Sequence, residues 1–202
     1  MKNPYQVTQD FESALCEYTG APFAVAVNSC TAALTLACEW FFSRNPASAV
    51  VEIPKHTYVS VPQAIMRAGG RVKFADCGWR GAYQLYPLPV YDCARRFTSG
   101  MYVLGQFQCL SFAASKILGL EQGGAILHHS ANADKWFRRM RFDGRTPLVD
   151  PLEDSFDLIG HHCIMTPSVA ASLLVRLHHL ARHNEDMPDY PYPDLSKHPA
   201  FK

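Results

Sequence analysis

The sequence contains none of the long apolar runs, strong net charge or leader features that place a protein in a membrane, on nucleic acid or outside the cell. No stretch approaches the roughly 20 apolar residues of a membrane-spanning helix, and residues 1–18 lack the apolar core of a signal peptide. The formal net charge is only +1, which is too small to attract nucleic acid or an anionic membrane surface. We therefore expect a cytoplasmic protein with no nucleic-acid or membrane partner.

Cysteine is present but lacks the arrangement of a disulfide framework. The seven cysteines are scattered, are odd in number and include no Cys-x-x-Cys pair, which is typical of a reduced compartment where cysteines act as small core residues. His161 and His162, and farther on His179 and His183, have partial metal-ligand spacing. No motif supplies the further ligands that zinc requires, so no metal site is expected.

Charged residues are few, at 18%, whereas hydrophobic residues make up 48% of the 202 positions. Such a chain can bury a substantial core and is not disordered. Its length suits one domain, and the one compositional break is the Pro/Tyr-rich C-terminal end. We predict a single domain over residues 1–185, followed by a tail over residues 186–202 that packs as an extended arm.

Helices and strands alternate along the domain. Apolar spacing and turn residues predict helices at residues 6–18, 31–42, 59–68, 132–142 and 167–182, and strands at residues 23–27, 50–53, 71–75 and 88–91. Residues 79–87 are aromatic and irregular, and the sequence gives no assignment for them. The alternation indicates an α/β fold, in which a mostly parallel sheet of about seven strands lies between helices.

Three polar groups follow predicted strands and therefore fall at the edge of the sheet where α/β proteins bind ligands. Ser29, Cys30 and Thr31 begin a helix, where free backbone N–H groups favour an anion such as phosphate, although such turns often only cap a helix. Residues 56–58 follow the second strand, and Asp92 ends another. Their coincidence at one edge favours a ligand site there.

Lys116 lies between two apolar runs, at residues 109–112 and 125–127, that read as buried strands. A buried ammonium is costly to desolvate unless something uses its charge or its nitrogen. One use is covalent binding of pyridoxal phosphate (PLP), because the pKa of a lysine falls readily on burial. The alternative is a surface lysine in a hairpin loop.

Several segments taken together resemble the DegT/DnrJ/EryC1/StrS family of PLP-dependent sugar aminotransferases. They occur in the family's order within residues 7–183: residues 24–34 (AVAVNSCTAAL), 53–60 (IPKHTYVS), 90–94 (VYDCA), 111–116 (SFAASK) with the later glycine pair 123–124, and the helix at 165–174. The resemblance implies the large domain of a fold-type-I PLP-dependent transferase, acting as a homodimer. It also implies amino-group transfer from an amino acid such as glutamate to a keto sugar, expected to be nucleotide-linked.

The resemblance also implies roles for individual residues. Lys116 would bind PLP covalently and then carry a proton. Asp92 would pair with the pyridine nitrogen of the cofactor, and Tyr58 would stack on its ring. The cofactor's phosphate would be held by four residues: Ser29, Cys30, Thr31 and Ser111.

The sequence departs from the family pattern at several of these positions. Arg95 stands where the family has a glutamine, and it is expected to contact the cofactor as a cation. Cys30 replaces a glycine of the phosphate turn, and residues 121–122 replace a glycine before the glycine pair. His162 occupies the place of an asparagine that reaches across the dimer to the partner's phosphate.

The chain also looks short for the family, because little follows Arg182 and the connection from Asp76 to Val90 looks shortened by a strand and a helix. We expect the tail to lie over exposed sheet or helix, on its own or the partner subunit, and the site to be more open than in full-length relatives, with reduced turnover. The main alternative is a PLP-fold protein that binds a cofactor, a nucleotide-sugar or a partner without catalysis. A PLP-dependent sugar dehydratase is disfavoured because such relatives replace Lys116 by histidine. A nucleophilic Cys30 at a helix start is a further alternative.

Overall fold

The computed structural model describes residues 3–45 and 49–201, so residues 1–2 and 46–48 of the predicted domain and residue 202 of the predicted tail lie outside the described residues. The elements, in chain order, are α1 (Gln6–Thr19), β1 (Phe23–Val27), α2 (Cys30–Phe42), β2 (Val50–Pro54), α3 (Ser60–Arg67), β3 (Arg71–Ala75), β4 (Tyr83–Gln84), β5 (Val90–Asp92), β6 (Phe107–Ser111), β7 (Gly124–His128), α4 (Ala131–Met140), α5 (Pro167–His179) and two short 3-10 turns, Leu195–Lys197 and Pro199–Phe201. Every helix predicted from the sequence is present, within three residues of the expected bounds.

The strands form one sheet of five in the order β1-β7-β6-β5-β4 and a second sheet of two, β2-β3. A pair of backbone hydrogen bonds joins them, because the amide of Glu52 donates to the carbonyl of Tyr86 (2.7 Å) and the amide of Tyr86 returns the bond (3.1 Å). The two sheets therefore lie edge to edge as one surface of seven strands. This confirms the α/β fold class and the expected number of strands.

The strand directions correct the expectation of a mostly parallel sheet. The β2-β3 and β5-β6 pairs are parallel, whereas β1-β7, β6-β7 and β4-β5 are antiparallel. For the β4-β5 pair the physical reason is the short connection, since a parallel neighbour needs a crossover, usually a helix, and an antiparallel one needs only a turn. The unassigned residues 79–87 supply such a turn: β4 and β5 form a hairpin in which the amide of Leu85 donates to the carbonyl of Val90 (2.8 Å).

Side chains of the central strands alternate between two apolar clusters, one on each face of the sheet. In β1, Val25 and Val27 point into the cluster beneath α2, α3 and α4, and Ala24 and Ala26 point into the cluster beneath α1 and α5. This period of two is the geometry of a strand buried on both faces. The helices therefore cover the sheet on both sides, as predicted. No helix within residues 3–45 and 49–201 is long and apolar enough to cross a membrane.

Candidate active site

The three polar segments that the sequence places after strands do meet at one edge of the sheet. The hydroxyl of Thr31, at the start of α2, donates to the hydroxyl of Ser60 at the start of α3 (2.8 Å). In the loop before α3, the hydroxyl of Thr57 lies 2.5 Å from the hydroxyl of Tyr83, which in turn donates to Asp92 (3.2 Å). A continuous set of hydrogen bonds thus runs from that loop to the end of β5.

Asp92 ends β5 with its carboxyl group only 4% exposed. One oxygen accepts a hydrogen bond from the backbone N–H of Ala94 (2.9 Å) and the other accepts the Tyr83 hydroxyl. Burial nevertheless raises the pKa of Asp92, although these two hydrogen bonds and the Lys116 charge oppose the shift. In the part of the chain that the structure describes, Asp92 forms no ion pair within 4.0 Å, so its negative charge is incompletely compensated.

Lys116 lies in the loop between β6 and β7, as expected from the two apolar runs. The loop folds tightly: the amide of Lys116 donates to the carbonyl of Ala113 (2.8 Å), and a Cβ on Gly119 would lie 2.5 Å from the carbonyl oxygen of Ala114. Gly119 is therefore required where the chain turns back. The Lys116 side chain is half-buried, and among the described residues its ammonium forms no hydrogen bond or ion pair.

The surroundings of Lys116 favour the neutral amine. Burial, and after it the positive charge of Arg95, lowers the pKa of Lys116, while Asp92 and Cys30 act in the opposite direction. A neutral amine is the form of lysine that attacks a carbonyl carbon. A lowered pKa increases the fraction of neutral amine near neutral pH, which agrees with the reasoning from the position of Lys116 between buried strands.

The turn before α2 is held against the β6-β7 pair by a glycine. Ser111, at the end of β6, pairs with Gly124 at the start of β7, and a Cβ on Gly124 would lie 2.5 Å from the backbone nitrogen of Cys30. The side chain of Ser29 caps α2 by accepting from the amide of Ala32 (3.1 Å). Ser29, Cys30 and Ser111 are therefore brought together at the positive end of α2, where backbone N–H groups can receive an anion.

Cys30 is not an activated thiol. Its sulfur donates weakly to the carbonyl of Cys109 (3.6 Å), and burial, followed by the charges of Asp92 and Cys93, raises the pKa of Cys30 well above its usual value. A thiol that stays protonated is a poor nucleophile. The alternative of a nucleophilic Cys30 is therefore unsupported. The side chain in place of the family's glycine is directed toward β6.

Tyr58 lies at the rim of this edge and not in the core. Its ring is 58% exposed, and its centroid lies 6.4 Å from the ring of Tyr192 in an edge-to-face contact. The main chain fixes the loop that carries it, because the amide of Val61 donates to the Tyr58 carbonyl (3.0 Å). More than half of this residue's surface is thus accessible at the rim.

Arg95 and His162 have different positions relative to this cluster. Arg95 is 8% exposed, and it is close enough to Lys116 for its charge to lower the pKa of that lysine. His162 is exposed, and its Nδ1 lies 2.9 Å from a carboxylate oxygen of Asp143. Its neighbour Cys163 accepts a hydrogen bond from the amide of Asn28 (2.9 Å), so His162 lies beside the end of β1 but outside the cluster around Lys116.

One part of the site was missed by the sequence reasoning. Tyr83, which supports Asp92, lies in the aromatic stretch 79–87 that had no assignment, and the aromatic residues there were the only signal. The tail was expected to pack over the domain, but its position beside the loop after β3 was not predicted. With the loop after β3 it encloses a cavity of about 380 Å³, whose walls include His56, Trp79, Arg80, Arg95, Asp189 and Tyr190.

Within residues 3–45 and 49–201, no group of three or more His, Cys, Asp or Glu side chains is arranged to hold a metal ion. The histidines at the end of α5, His178 and His179, only form an edge-to-face ring contact, with centroids 5.3 Å apart.

The strand order and the helices on both faces define the large domain of a fold-type-I PLP-dependent transferase. More narrowly, the chain belongs to the DegT/DnrJ/EryC1/StrS aminotransferase family, whose sequence profile matches residues 1–85 and 98–188. The unmatched residues 86–97 include the turn and second strand of the β4-β5 hairpin. Among curated protein sequences, none matches the chain.

Solved structures show the same fold at low sequence identity. AtS13 from Actinomadura melliaura superposes with a TM-score of 0.73 at 19% identity, covering 87% of this chain and 60% of its own. The sugar aminotransferase CalS13 from Micromonospora echinospora gives 0.71 at 18%, covering 86% and 60%. Helicobacter pylori PseC, an aminotransferase involved in the biosynthesis of pseudoaminic acid, gives 0.69 at 18%, covering 85% and 57%. The present chain thus spans about 60% of the length of these structures.

Proposed function

We propose that this protein is a PLP-dependent aminotransferase that moves an amino group from an amino acid, such as glutamate, to a nucleotide-linked keto sugar. The proposal is carried by two groups at the same sheet edge, the buried carboxyl group of Asp92 and the amine of Lys116. Neither group forms an ion pair among the described residues. Residues 1–185 would form the cofactor-binding domain and residues 186–202 the tail. Family membership gives the expected reaction class.

The residues at this edge fit PLP. Asp92 is a buried carboxyl group whose charge lacks a cation, and a protonated pyridine nitrogen would supply one. Lys116 offers an amine of lowered pKa for covalent attachment, and Tyr58 offers an exposed aromatic ring. The cradle made by the turn before α2 would receive the phosphate through Ser29, Cys30, Thr31 and Ser111.

When bound, PLP supplies an electron sink for the carbon that gains or loses the amino group. Asp92 would keep the nitrogen of its ring protonated, while Tyr83 and Ala94 hold the carboxylate in place through their hydrogen bonds. The Nζ of Lys116 would carry the proton between the reacting carbon atoms, a role that requires a lysine neutral near the working pH. Arg95 would contact the cofactor, because its positive charge acts on Lys116.

The cavity under the tail supports an acceptor that carries both a ring and negative charge. Arg80 and Arg95 provide cationic donors, and Trp79 and Tyr190 provide aromatic faces. The lining also contains Asp189 and Asp76, and Asp76 is paired with Lys55. Such a lining suits a sugar linked to a nucleoside phosphate. Binding of a nucleoside diphosphate can be measured by calorimetry, and equal affinity in wild type and Arg80→Ala would contradict this placement.

A homodimer is part of the proposal. Four large apolar side chains are at least 58% exposed in the segment that leads to His162, namely Leu148, Leu152, Phe156 and Ile159. A patch of this kind is typical of an interaction surface, and in a dimer His162 would reach the phosphate of the partner's cofactor. Sedimentation should show a dimer. A monomer that binds PLP tightly would contradict this part.

The seven free cysteines support a reducing, cytoplasmic setting.

The deciding test uses Lys116. Wild type incubated with PLP should develop a visible absorption band that borohydride bleaches, and mass spectrometry should then place the fixed cofactor on the peptide containing Lys116. Lys116→Ala should show neither result. Lys135→Ala, which removes an exposed lysine on α4, is the matched control and should behave as wild type. Fixation in Lys116→Ala at the wild-type level would show that the assignment is wrong.

The second candidate is a non-catalytic PLP-binding protein, and it is favoured by the mismatch between the family profile and residues 86–97, which contain Asp92 and Arg95. Both candidates predict that Lys116 binds PLP. They differ in the half-reaction, because only an aminotransferase converts the bound cofactor to its amine form when an amino-acid donor is added. A screen of amino acids followed by absorbance separates them, and a full set of inactive donors would favour the second candidate.

A further inference from the structure

The tail packs against its own domain, along the sheet edge that carries the candidate site. Asp186 forms two hydrogen-bonded contacts with the guanidinium of Arg96 (2.8 and 2.6 Å). The amide of Met187 then donates to the carbonyl of Arg95 (2.9 Å), and the guanidinium of Arg95 donates to the carbonyl of Pro188. This first anchor therefore holds the turn after β5 through both backbone and side chains.

A second anchor follows six residues later, on the loop after β2. His56 Nδ1 lies 2.9 Å from the carbonyl of Tyr192, whose ring stacks on Trp79 at 6.2 Å between centroids. Leu195 is buried, and its amide donates to the carbonyl of Lys55 (2.9 Å). Because anchors lie on both sides of it, the chain between Pro188 and Tyr192 has a fixed path over the site edge.

The first anchor leaves the charge of Arg95 without a neutralising partner. The groups that receive its guanidinium are a carbonyl oxygen and the ring of Tyr190, 6.0 Å away, both of which are uncharged. The acidic residue of the anchor, Asp186, pairs with Arg96 instead. No carboxylate lies within 4.0 Å of the Arg95 guanidinium in the described residues. The cation thus keeps its full effect on its surroundings.

The position of Arg95 on the turn after β5 also places its charge near Lys116. Arg95 lies three residues after Asp92 on a turn that the amide of Cys93 ties to β6 by donating to the carbonyl of Cys109 (2.9 Å). The charged or titratable groups that act on Lys116 come from three elements: Asp92 at the end of β5, Arg95 on the following turn and Cys30 at the start of α2. Among them only Arg95 disfavours a second positive charge.

We propose that the segment from Asp186 to Tyr190 is a positioning element of the site, which holds the Arg95 guanidinium beside Lys116 and thereby keeps the lysine amine reactive toward carbonyl compounds. The proposal rests on the proposed function of Lys116 and assigns to the tail a role that neither its composition nor its place outside the sheet indicates. Arg95 acts through Lys116, and the tail acts through Arg95.

The test measures the reactivity of Lys116 without cofactor. The full-length protein is treated briefly with acetic anhydride between pH 6 and pH 10.5, and mass spectrometry gives the acetylation rate of Lys116 relative to the exposed Lys135. In Arg95→Ala the profile should shift to higher pH, with about tenfold slower acetylation at pH 7.5, because the lysine holds its proton more firmly without the neighbouring cation. Arg95→Lys retains the charge and should stay within about twofold of wild type.

The tail is tested with the double variant Asp186→Asn/Tyr192→Ala, which removes the ion pair with Arg96 and the aromatic contact with Trp79. It should accelerate hydrogen exchange in residues 186–195 and slow Lys116 acetylation about threefold at pH 7.5, a smaller effect than in Arg95→Ala because the guanidinium is still present. Asp157→Asn removes a comparable ion pair with Arg139, on an exposed surface, and should leave the Lys116 profile unchanged.

An unchanged profile in Arg95→Ala would overturn the proposal, and so would an unchanged profile in the double variant once its tail exchanges faster. If Arg95→Ala fails to fold, a wild-type rate in the double variant despite faster tail exchange overturns the proposal, and a slowed rate supports it. Borohydride fixation of PLP is measured separately. Its loss in wild type would contradict the proposed function, whereas its retention with an unmoved acetylation profile would reject only the tail's role.

Discussion

Two clusters of buried charged residues among the described residues differ in how completely their charges are compensated by ion pairs. The Glu12 cluster consists of Glu12 on α1 with Arg138 and Arg141 from α4 and the residue after it. One Glu12 oxygen lies 2.6 Å from Arg138, and the other receives Arg141 and the backbone N–H of Ala26 (2.9 Å). The Asp92 cluster, made of Asp92, Lys116 and Arg95, has no such direct ion pair among the described residues.

The pKa shifts of the two carboxyl groups run in opposite directions. Burial by itself raises the pKa of Glu12, but the charges of Arg141 and Arg138 outweigh it and the pKa is lowered. Burial also raises the pKa of Asp92, and there the opposing contributions do not overcome it. The two carboxyl groups are therefore buried to a similar extent, yet Glu12 forms a structural ion pair whereas Asp92 has no cationic partner within ion-pair distance among the described residues.

This difference separates a scaffold from a site. The Glu12 cluster ties α1, β1 and α4 together, and Asp134, which also pairs with Arg138, completes its charge balance. The Asp92 cluster places an incompletely compensated acid, an amine of lowered pKa and a separate cation at the sheet edge where we propose that PLP binds. This combination is expected where a charged cofactor completes the structure. Removing charge should thus destabilise the first cluster and not the second.

The largest expected effect is that of Glu12→Ala. It leaves two arginine side chains without their buried partner, and breaking a buried ion pair in this way costs about 3–5 kcal/mol of unfolding free energy. Urea denaturation at pH 7 measures the loss. Glu17→Ala, on the exposed side of the same helix, is the matched control and should change the unfolding free energy by less than about 0.5 kcal/mol.

The same variant should change how stability depends on pH. Because the folded-state pKa of Glu12 is lowered, its contribution is present above the unfolded value near 4.5 and is lost as the pH falls through the folded value. Wild type should therefore lose stability below pH 4.5 more steeply than Glu12→Gln does. Parallel acid dependence in the two proteins would show that the arginines do not hold this carboxylate.

A smaller effect is expected when the phosphate cradle is perturbed without changing any charge. In Gly124→Ala the new Cβ would meet the backbone of Ser29 and Cys30, which should destabilise the fold by about 1–3 kcal/mol and weaken PLP binding. Gly78→Ala is the control, because nothing lies within 4 Å of its Cβ position. Equal PLP affinity in the two variants, measured by absorbance titration, would show that Gly124 does not support the phosphate cradle.

Tyr83→Phe tests how Asp92 is supported. The change removes one donor from Asp92 and leaves the hydroxyl of Thr57 without its partner, so the unfolding free energy should fall by about 1 kcal/mol. Tyr91→Phe, in the next strand, removes a hydroxyl that makes no hydrogen bond among the described residues and should be near neutral. If both variants unfold alike in urea, the Tyr83 hydroxyl does not stabilise the site.

The sequence predicted most elements because their signals are local. The apolar stripe of α1 ends at Gly20, which adopts φ +80° as a helix stop, and Ser29 caps α2. Lys116 could be singled out because it lies between two apolar runs that predict buried strands. These features depend on neighbours a few residues away, and the polar residues after β1, β2 and β5 then indicate one edge.

The missed features depend on contacts between distant parts of the chain. The antiparallel β4 follows from a short connection whose residues carry no strand pattern, and the role of Tyr83 depends on the position of Asp92 across that hairpin. The tail's path depends on Asp186 meeting Arg96, a contact across 90 residues. Composition could indicate that residues 186–202 differ from the domain, but it could not show on which surface they pack.

The smallest expected change in stability, and the one of opposite sign, is that of Asp92→Asn. An asparagine can keep both hydrogen bonds, because its carbonyl oxygen accepts from Ala94 and its amide donates to the hydroxyl of Tyr83. The substitution removes a buried charge that lacks an ion pair, so the cofactor-free protein should be unchanged or stabilised by up to about 1 kcal/mol at pH 7. PLP binding should nevertheless weaken strongly, because the ring nitrogen loses its counter-charge.

The pH dependence of Asp92→Asn provides the sharper test of the comparison. The folded-state pKa of Asp92 is raised above 3.8, so protonation favours the folded protein and wild type loses this contribution as the pH rises through the folded value. The stability advantage of Asp92→Asn over wild type should therefore grow from pH 4 to pH 7, whereas wild type gains stability relative to Glu12→Gln as the pH rises through the acid range below 4.5. Urea midpoints across that range measure both. A loss of several kcal/mol in Asp92→Asn at pH 7 would mean that Asp92 is held by a structural partner, as Glu12 is, and that its charge is not reserved for a ligand.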